Sequence, residues 1–290
     1  MVLKRINPKG AVVIGVFFAS LSSILVRLSA APSVIIATYR LGFTVLLLLP
    51  AFYRQMKKEP EEMSLKNTLL CAASGLFLAL HFVTWFMSLR YTTIASSTIL
   101  VNTHPVMIVL GSFFILRERI SKKALFFIGM TFVGSVIISL GDYNPESGSI
   151  FGDMLALLGA LFVSGYMLIG RIVRQKLSLP LYTFTVYFSS MVILLILDLA
   201  TGTALFPYSL REFLIFFALA VFCTILGHTV FNWALRWVEP AFISASILGE
   251  PVFASIIALF LFNEIPSIYT FLGGIVVIAG IFLFIRVTAK

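Results

Sequence analysis

The chain has 290 residues, of which 60% are hydrophobic and only 11% charged. Soluble domains carry about a quarter charged residues, and the mean hydropathy here is +1.07. A soluble enzyme, a nucleic-acid binder and a disordered chain are therefore excluded, and the composition reads as a polytopic α-helical membrane protein. The net charge of +9, from 21 Lys+Arg and 12 Asp+Glu, then needs an explanation other than an acidic partner.

Ten apolar segments of about 20 residues are long enough to cross a bilayer. They lie near 10–28, 33–53, 67–88, 93–116, 123–141, 151–173, 180–200, 212–235, 240–262 and 267–287. Lys4, Arg5 and Lys9 precede the first apolar run, and Ser29-Ala30-Ala31 imitates a cleavage site. The run is long for a signal peptide and many similar segments follow, so it is read as a retained first helix. The segments lack the period-two alternation of barrel strands, which leaves helices as the spanning structure. The polar stretch from Arg54 to Lys66 is a surface loop or short interfacial helix, and the turn-rich 141–148 divides the chain in two. Cys71 and Cys223 sit inside apolar runs and have no metal-ligand spacing.

The basic residues set an orientation. With the N-terminus in the cytoplasm, 17 of the 21 fall on the inner side, Arg27, Arg90 and Arg211 fall outside, and Arg40 lies within span 2. The positive-inside rule therefore places both termini in the cytoplasm, as an even number of spans requires.

An internal repeat is visible at a constant offset of 146 residues. Leu89, Arg90, Ala95, Pro105, Val106, Phe114, Glu118 and Ser121 meet the same residue types at Leu235, Arg236, Ala241, Pro251, Val252, Phe260, Glu264 and Ser267. Shared Arg, Pro and Glu at one offset is a strong signal in so apolar a chain. Each half (1–144 and 145–290) then holds five helices. An odd number makes the second half inverted, as in secondary transporters with a midplane site between repeats. The expected fold is thus all-α and integral to the membrane, with ten helices in two inverted five-helix repeats.

Polar stripes mark the helices that face water or the bundle interior. Span 8 carries Thr224, His228 and Asn232; span 3 carries Ser74, His81, Trp85 and Ser88; span 1 carries Ser20, Ser23 and Arg27. Span 4 has Thr98 and Asn102 before His104-Pro105, and span 9 has Ser246 and Glu250 before Pro251. Spans 1, 3, 4, 8 and 9, with 6, are assigned to a cavity. Spans 5 and 10 carry glycines amid Ile, Val, Leu and Phe, which suits tight packing within a monomer or a homodimer contact.

His104 and Glu250 are repeat mates directly before the shared proline. The proline frees a carbonyl one turn back, and a polar group there either binds substrate or a proton, or merely satisfies that carbonyl. His81 and His228 are open to substrate contact or a helix–helix hydrogen bond, and Trp85 could stack on a substrate. Arg40 either neutralises a carboxylate or phosphate, snorkels to the surface, or pairs with Asp198 or Asp153. A three-histidine zinc site has no supporting ligand spacing. Glu118 and Glu264, with Ser121 and Ser267, read as caps at helix junctions. No G-x-x-x-x-G-K-[ST] loop is present, so no nucleotide cofactor is expected.

Arg40-Leu41-Gly42-Phe43, Leu89-Arg90-Tyr91-Thr92 through Pro105 to Arg117-Glu118-Arg119-Ile120-Ser121, Leu248-Gly249-Glu250-Pro251-Val252 and Phe262-Asn263-Glu264 carry a resemblance. Together they make the chain resemble the drug/metabolite transporter superfamily, in its ten-helix EamA-type branch, over nearly its full length. The resemblance implies an inverted five-plus-five fold, a cavity lined by helices 1, 3, 4, 6, 8 and 9, and alternating access in the bacterial inner membrane. Members move amino acids, aromatic compounds, amines, nucleotide sugars and drugs. Many carry a tryptophan near positions 20–22, where this chain has Ser20-Leu21-Ser22. The expected function is a secondary transporter, an exporter of a small polar or amphipathic metabolite with an amino-acid-like one favoured. Proton coupling is an option, and a membrane-embedded enzyme or a channel are the rivals. The candidate substrate-binding or coupling residues are Glu250, His104, His81, His228, Asn232, Trp85, Asn102 and Arg40.

Overall fold

The computed structural model describes residues 7–108, 121–141, 149–234 and 246–288. Glu118, Trp237, the dividing turn beyond Gly141, and parts of predicted spans 4 and 9 lie outside the described residues. The elements, in chain order, are α1 (Pro8–Leu28), α2 (Ser33–Lys58), α3 (Leu65–Tyr91), α4 (Ile94–Val101), α5 (Lys122–Gly141), α6 (Ser149–Val173), α7 (Leu179–Ala200), α8 (Leu210–Ala218), a π-helix (Leu219–Thr229), α9 (Val230–Ala234), α10 (Glu250–Phe262) and α11 (Ile268–Thr288). No strand occurs among the described residues. Six stretches are long and apolar enough to cross a membrane: Pro8–Leu28, Ser33–Lys58, Leu65–Tyr91, Ser149–Gly170, Leu179–Ala200 and Leu210–Ala234. Shorter apolar helices run over Ile94–Ile108, Glu250–Phe262 and Ile268–Phe284.

Short polar side chains start the helices where the sequence offers them. Asn7, Ser64, Thr93 and Ser209 each accept a backbone N–H of the first turn of α1, α3, α4 and α8. Ser121 and Ser267 do the same for α5 and α11, accepting from Ala124 and Thr270 at 3.2 and 3.0 Å. Glu264 behaves differently from the expectation that it caps the helix after it. Its carboxylate accepts the Ile94 N–H, the first N–H of α4, and lies 3.7 Å from Arg27. The charge still meets a positive helix end, but the helix belongs to a segment 170 residues earlier.

Small residues let the helices approach. On α6, Gly152, Gly159 and Gly165 face Tyr91–Thr92, Trp85 and Phe77 of α3. Gly75 of α3 sits against the backbone of Val186 and Ser190 on α7, and Gly15 of α1 against Phe231 and the Gly227 carbonyl. In the α5–α11 pair, Gly134 and Gly273 face each other's backbones and Gly280 faces Thr131. The glycine stripe of spans 5 and 10 is thus used within one chain. Outward faces stay apolar, as at Phe126, Phe132, Leu199 and Phe271, while polar residues are gathered inward. This is the reverse of a soluble fold and suits a lipid surround.

Between α2 and α3, Pro60–Glu62 forms one 3₁₀ turn. Glu62 accepts the Ser178 N–H at 2.6 Å at the start of α7, tying this loop to the α6–α7 junction. Burial is the largest influence and pulls its carboxyl upward, but the bonds from Ser178, the Glu59 side chain and the Arg174 charge together outweigh it and hold the group below its ordinary value of 4.5.

Candidate functional site

Two interrupted helices build the site. Pro105 has no N–H, which frees the Val101 carbonyl. The α-helix stops at Val101, Asn102 and Thr103 form a turn, and helix resumes over 104–108. His104 Nδ1 lies 3.4 Å from the freed Val101 carbonyl, so one of its ring nitrogens serves the break itself. The second interruption falls at Leu248–Gly249, after which α10 starts at Glu250 with Pro251 in its first turn. Adding 146 to 102 and 103 gives 248 and 249, so the two turns stand at the same offset as the two prolines. They also meet: the Asn102 side chain donates to the Thr98 carbonyl at 2.8 Å and stands within interaction reach of the Glu250 carboxyl. Glu250 is 8% exposed and Asn102 3%. A carboxyl group at that depth needs such a donor, because an unsatisfied one is costly.

Arg40 is the second pole. It is 0% exposed, and neither snorkels nor pairs with an aspartate. Asp198 accepts from Thr38 at 2.6 Å and Asp153 from Thr92 at 2.8 Å. Instead, Arg40 Nε donates to Thr224 Oγ1 and Nη1 to Ser22 Oγ, both at 2.8 Å. Its guanidinium carbon stands 4.5 Å from the Phe82 ring centroid. Glu250 lies within electrostatic reach of Arg40 but is not in ion-pair contact with it.

The Thr224 contact depends on a feature of span 8 that hydropathy does not report. Leu219–Thr229 is a π-helix continuous with α8 and α9. The Thr224 hydroxyl donates to Leu219 O at 3.3 Å and that of Thr229 to Thr224 O at 3.0 Å, each five residues back. Wider turns of this kind recur at functional sites because they re-aim side chains.

The histidines gather around the same region. His81 Nδ1 meets the Gly159 carbonyl at 2.9 Å. A carbonyl only accepts, so Nδ1 carries the proton there and Nε2 of the neutral ring is an acceptor. The ring stacks on Trp85 at 5.6 Å and 20°. His228 meets Phe231 edge-on at 6.1 Å, and His81, His104 and His228 lie within electrostatic reach of one another. Among the described residues, no three His, Cys, Asp or Glu side chains are placed to hold a metal ion.

Asn232 completes the predicted set beside a group that sequence reasoning missed. Its side chain lies within interaction reach of the Tyr166 hydroxyl of α6. Tyr166, Tyr182 and Tyr187 lie buried near one another on α6 and α7, with Ser74 3.4 Å from the Tyr182 hydroxyl. The eight predicted residues thus converge, and α2 and α7 join the helices expected around them.

Comparison with known proteins places this arrangement. The model of the EamA-like transporter family matches twice, over residues 10–140 and 150–286. An uncharacterized transporter of Archaeoglobus fulgidus is 26% identical over 244 residues, covering 82% of each chain. The pseudopaline exporter CntI of Pseudomonas aeruginosa is 22% identical over 272 residues, covering 92% of each. A protein of known crystal structure superposes with a TM-score of 0.64 at 15% identity, over 95% of this chain and 94% of that one, and so shares the fold. Family and relatives alike are transporters rather than enzymes, and this chain is a multi-pass membrane protein that belongs to the EamA-like transporter family.

Proposed function

We propose that the protein is a secondary transporter that exports a small, amino-acid-like metabolite across the bacterial inner membrane by alternating access. In this reading the chain has ten helices in two inverted repeats, 1–144 and 145–290, with both termini cytoplasmic. The observation that carries it is the meeting of two helix interruptions, 146 residues apart, at a buried Asn102–Glu250 contact. Discontinuous helices in corresponding positions of two halves are the usual frame of a carrier's midplane site. The two family matches of similar length, 10–140 and 150–286, support the repeat. The exporter among the relatives supports the direction. Glu250 is the group through which protons would couple, since a carboxyl at depth can alternate between a proton and a cationic partner.

The test is accumulation in proteoliposomes of a panel of amino acids, amines and nucleosides, with and without a pH gradient. Saturable uptake of at least one member is expected. Accumulation of none removes the metabolite carrier, and uptake that rises without saturating points to a channel instead.

A further inference from the structure

Among the described residues, three buried groups around Arg40 have no hydrogen-bond partner: Arg40 Nη2, the Trp85 indole Nε1 and the Tyr187 hydroxyl. They come from α2, α3 and α7, and they share one neighbourhood. Tyr187 lies within electrostatic reach of Arg40. The guanidinium stands over Phe82 and 5.8 Å from Phe86, and Trp85 tilts against Phe86 at 5.4 Å. Buried polar groups are nearly always satisfied, so a cluster of orphans of one kind points to a missing partner of the opposite kind. The guanidinium and indole N–H groups can only donate and the phenol can donate as well, so the partner that serves all three is an acceptor.

Charge says which acceptor. Arg40 is the one Lys or Arg in the buried class among the described residues, and it makes no ion pair. Its Nε and Nη1 bonds to Thr224 and Ser22 hold the fork at a fixed angle between the π-helix and α1. Bracing explains those two nitrogens and leaves Nη2 unexplained. One cation, with the Glu250 carboxyl within electrostatic reach, matches a monoanion and would leave a phosphate dianion with a buried, uncompensated charge.

We infer that Arg40 anchors the carboxylate of the transported metabolite, with Tyr187 and Trp85 as flanking donors. The inference rests on the carrier reading above and deepens it. The substrate must bear a carboxylate, and its cationic group, if it has one, is left to Glu250.

The experiment uses the purified full chain and matched triplets sharing one side chain: phenylalanine, phenethylamine and 3-phenylpropanoate, and leucine, isopentylamine and 4-methylpentanoate. Sugar phosphates form a separate arm. Thermal stabilisation reports binding. The amino acid and the acid without an amine should stabilise the wild type, and the amine without a carboxylate should not. Arg40→Gln should weaken acid binding by about tenfold or more, with Arg40→Lys intermediate, because a point charge replaces a braced fork. Tyr187→Phe keeps the ring and removes only the orphan hydroxyl. It should weaken acid binding by about threefold to tenfold with the fold intact, which keeps the inference testable if Arg40→Gln does not fold. An amine that stabilises the wild type and Arg40→Gln alike overturns the anchor and leaves the carrier standing. Preferential stabilisation by sugar phosphates overturns the carboxylate assignment. A panel flat in the wild type also overturns the anchor, and proteoliposome accumulation decides the carrier separately.

Discussion

Gly134→Ala tests the helix packing in a way that separates one chain from two. A Cβ at Gly134 would sit 2.8 Å from Val277 Cγ2 and 2.9 Å from both the Gly273 carbonyl oxygen and the Val277 nitrogen. Two of those three atoms are backbone, so no rotamer change relieves them. Restoring 2.9 Å to an ordinary 3.4 Å means parting α5 and α11 by about 0.5 Å. Overpacking of this kind costs about 1–3 kcal/mol. Gly129 on the same helix provides the control, because a Cβ there meets nothing within 4 Å. Both substitutions regain the same helix propensity, about 1 kcal/mol in water, so their difference isolates the clash. Unfolding in detergent should therefore rank Gly129→Ala above Gly134→Ala by about 1–3 kcal/mol, with the same oligomeric state for both. Equal stabilities would refute the close α5–α11 contact. A change of oligomeric state in Gly134→Ala alone would return that glycine to a dimer interface.

Two further outcomes follow from the ends of the bundle. Glu62→Gln should lower stability at neutral pH by about 0.3–1 kcal/mol, the worth of a charge at a helix start. The folded-state carboxyl is held below 4.5, so this contribution is present above the unfolded value and lost as pH falls through the folded one. Melting curves of wild type and variant should converge in acid, and a gap that persists there would contradict the Ser178 contact. Glu264→Ala removes the acceptor of the Ile94 N–H at the start of α4, leaves the Thr93 cap in place, and should cost about 0.5–2 kcal/mol. Arg27→Gln breaks the partly exposed pair at 3.7 Å and the bond that Arg27 Nη2 donates to the Thr92 carbonyl at 2.8 Å, and should cost about 0.5–1.5 kcal/mol. A Glu264→Ala variant as stable as the wild type would contradict the bond to Ile94.

The membrane class, most helix positions and the polar stripes were legible because composition and hydropathy act locally. The offset of 146 that relates His104-Pro105 to Glu250-Pro251 was legible because Arg, Pro and Glu recur at it. The proline signal located both interruptions, although the turn falls one residue before His104, at Asn102–Thr103. Three features were not legible, each for a physical reason. The π-helix differs from an α-helix by one residue per hydrogen bond, and no pattern of apolar residues encodes that. The cap from Glu264 to Ile94 joins groups 170 residues apart, so only the tertiary fold reveals it. Tyr166, Tyr182 and Tyr187 look in sequence like interfacial or packing aromatics. Their meeting depends on how α6 and α7 cross, as does the place of Arg40, which hydropathy alone left between surface and core.

The measurement that bears most directly on the central claim is counterflow in proteoliposomes. Vesicles are loaded with an unlabelled substrate taken from the accumulation panel, and entry of the labelled form is followed. A carrier that alternates around a site at the paired interruptions should show faster labelled entry into loaded than empty vesicles, and Glu250→Ala should abolish that acceleration. Entry that ignores internal substrate, or acceleration that survives Glu250→Ala, would contradict it.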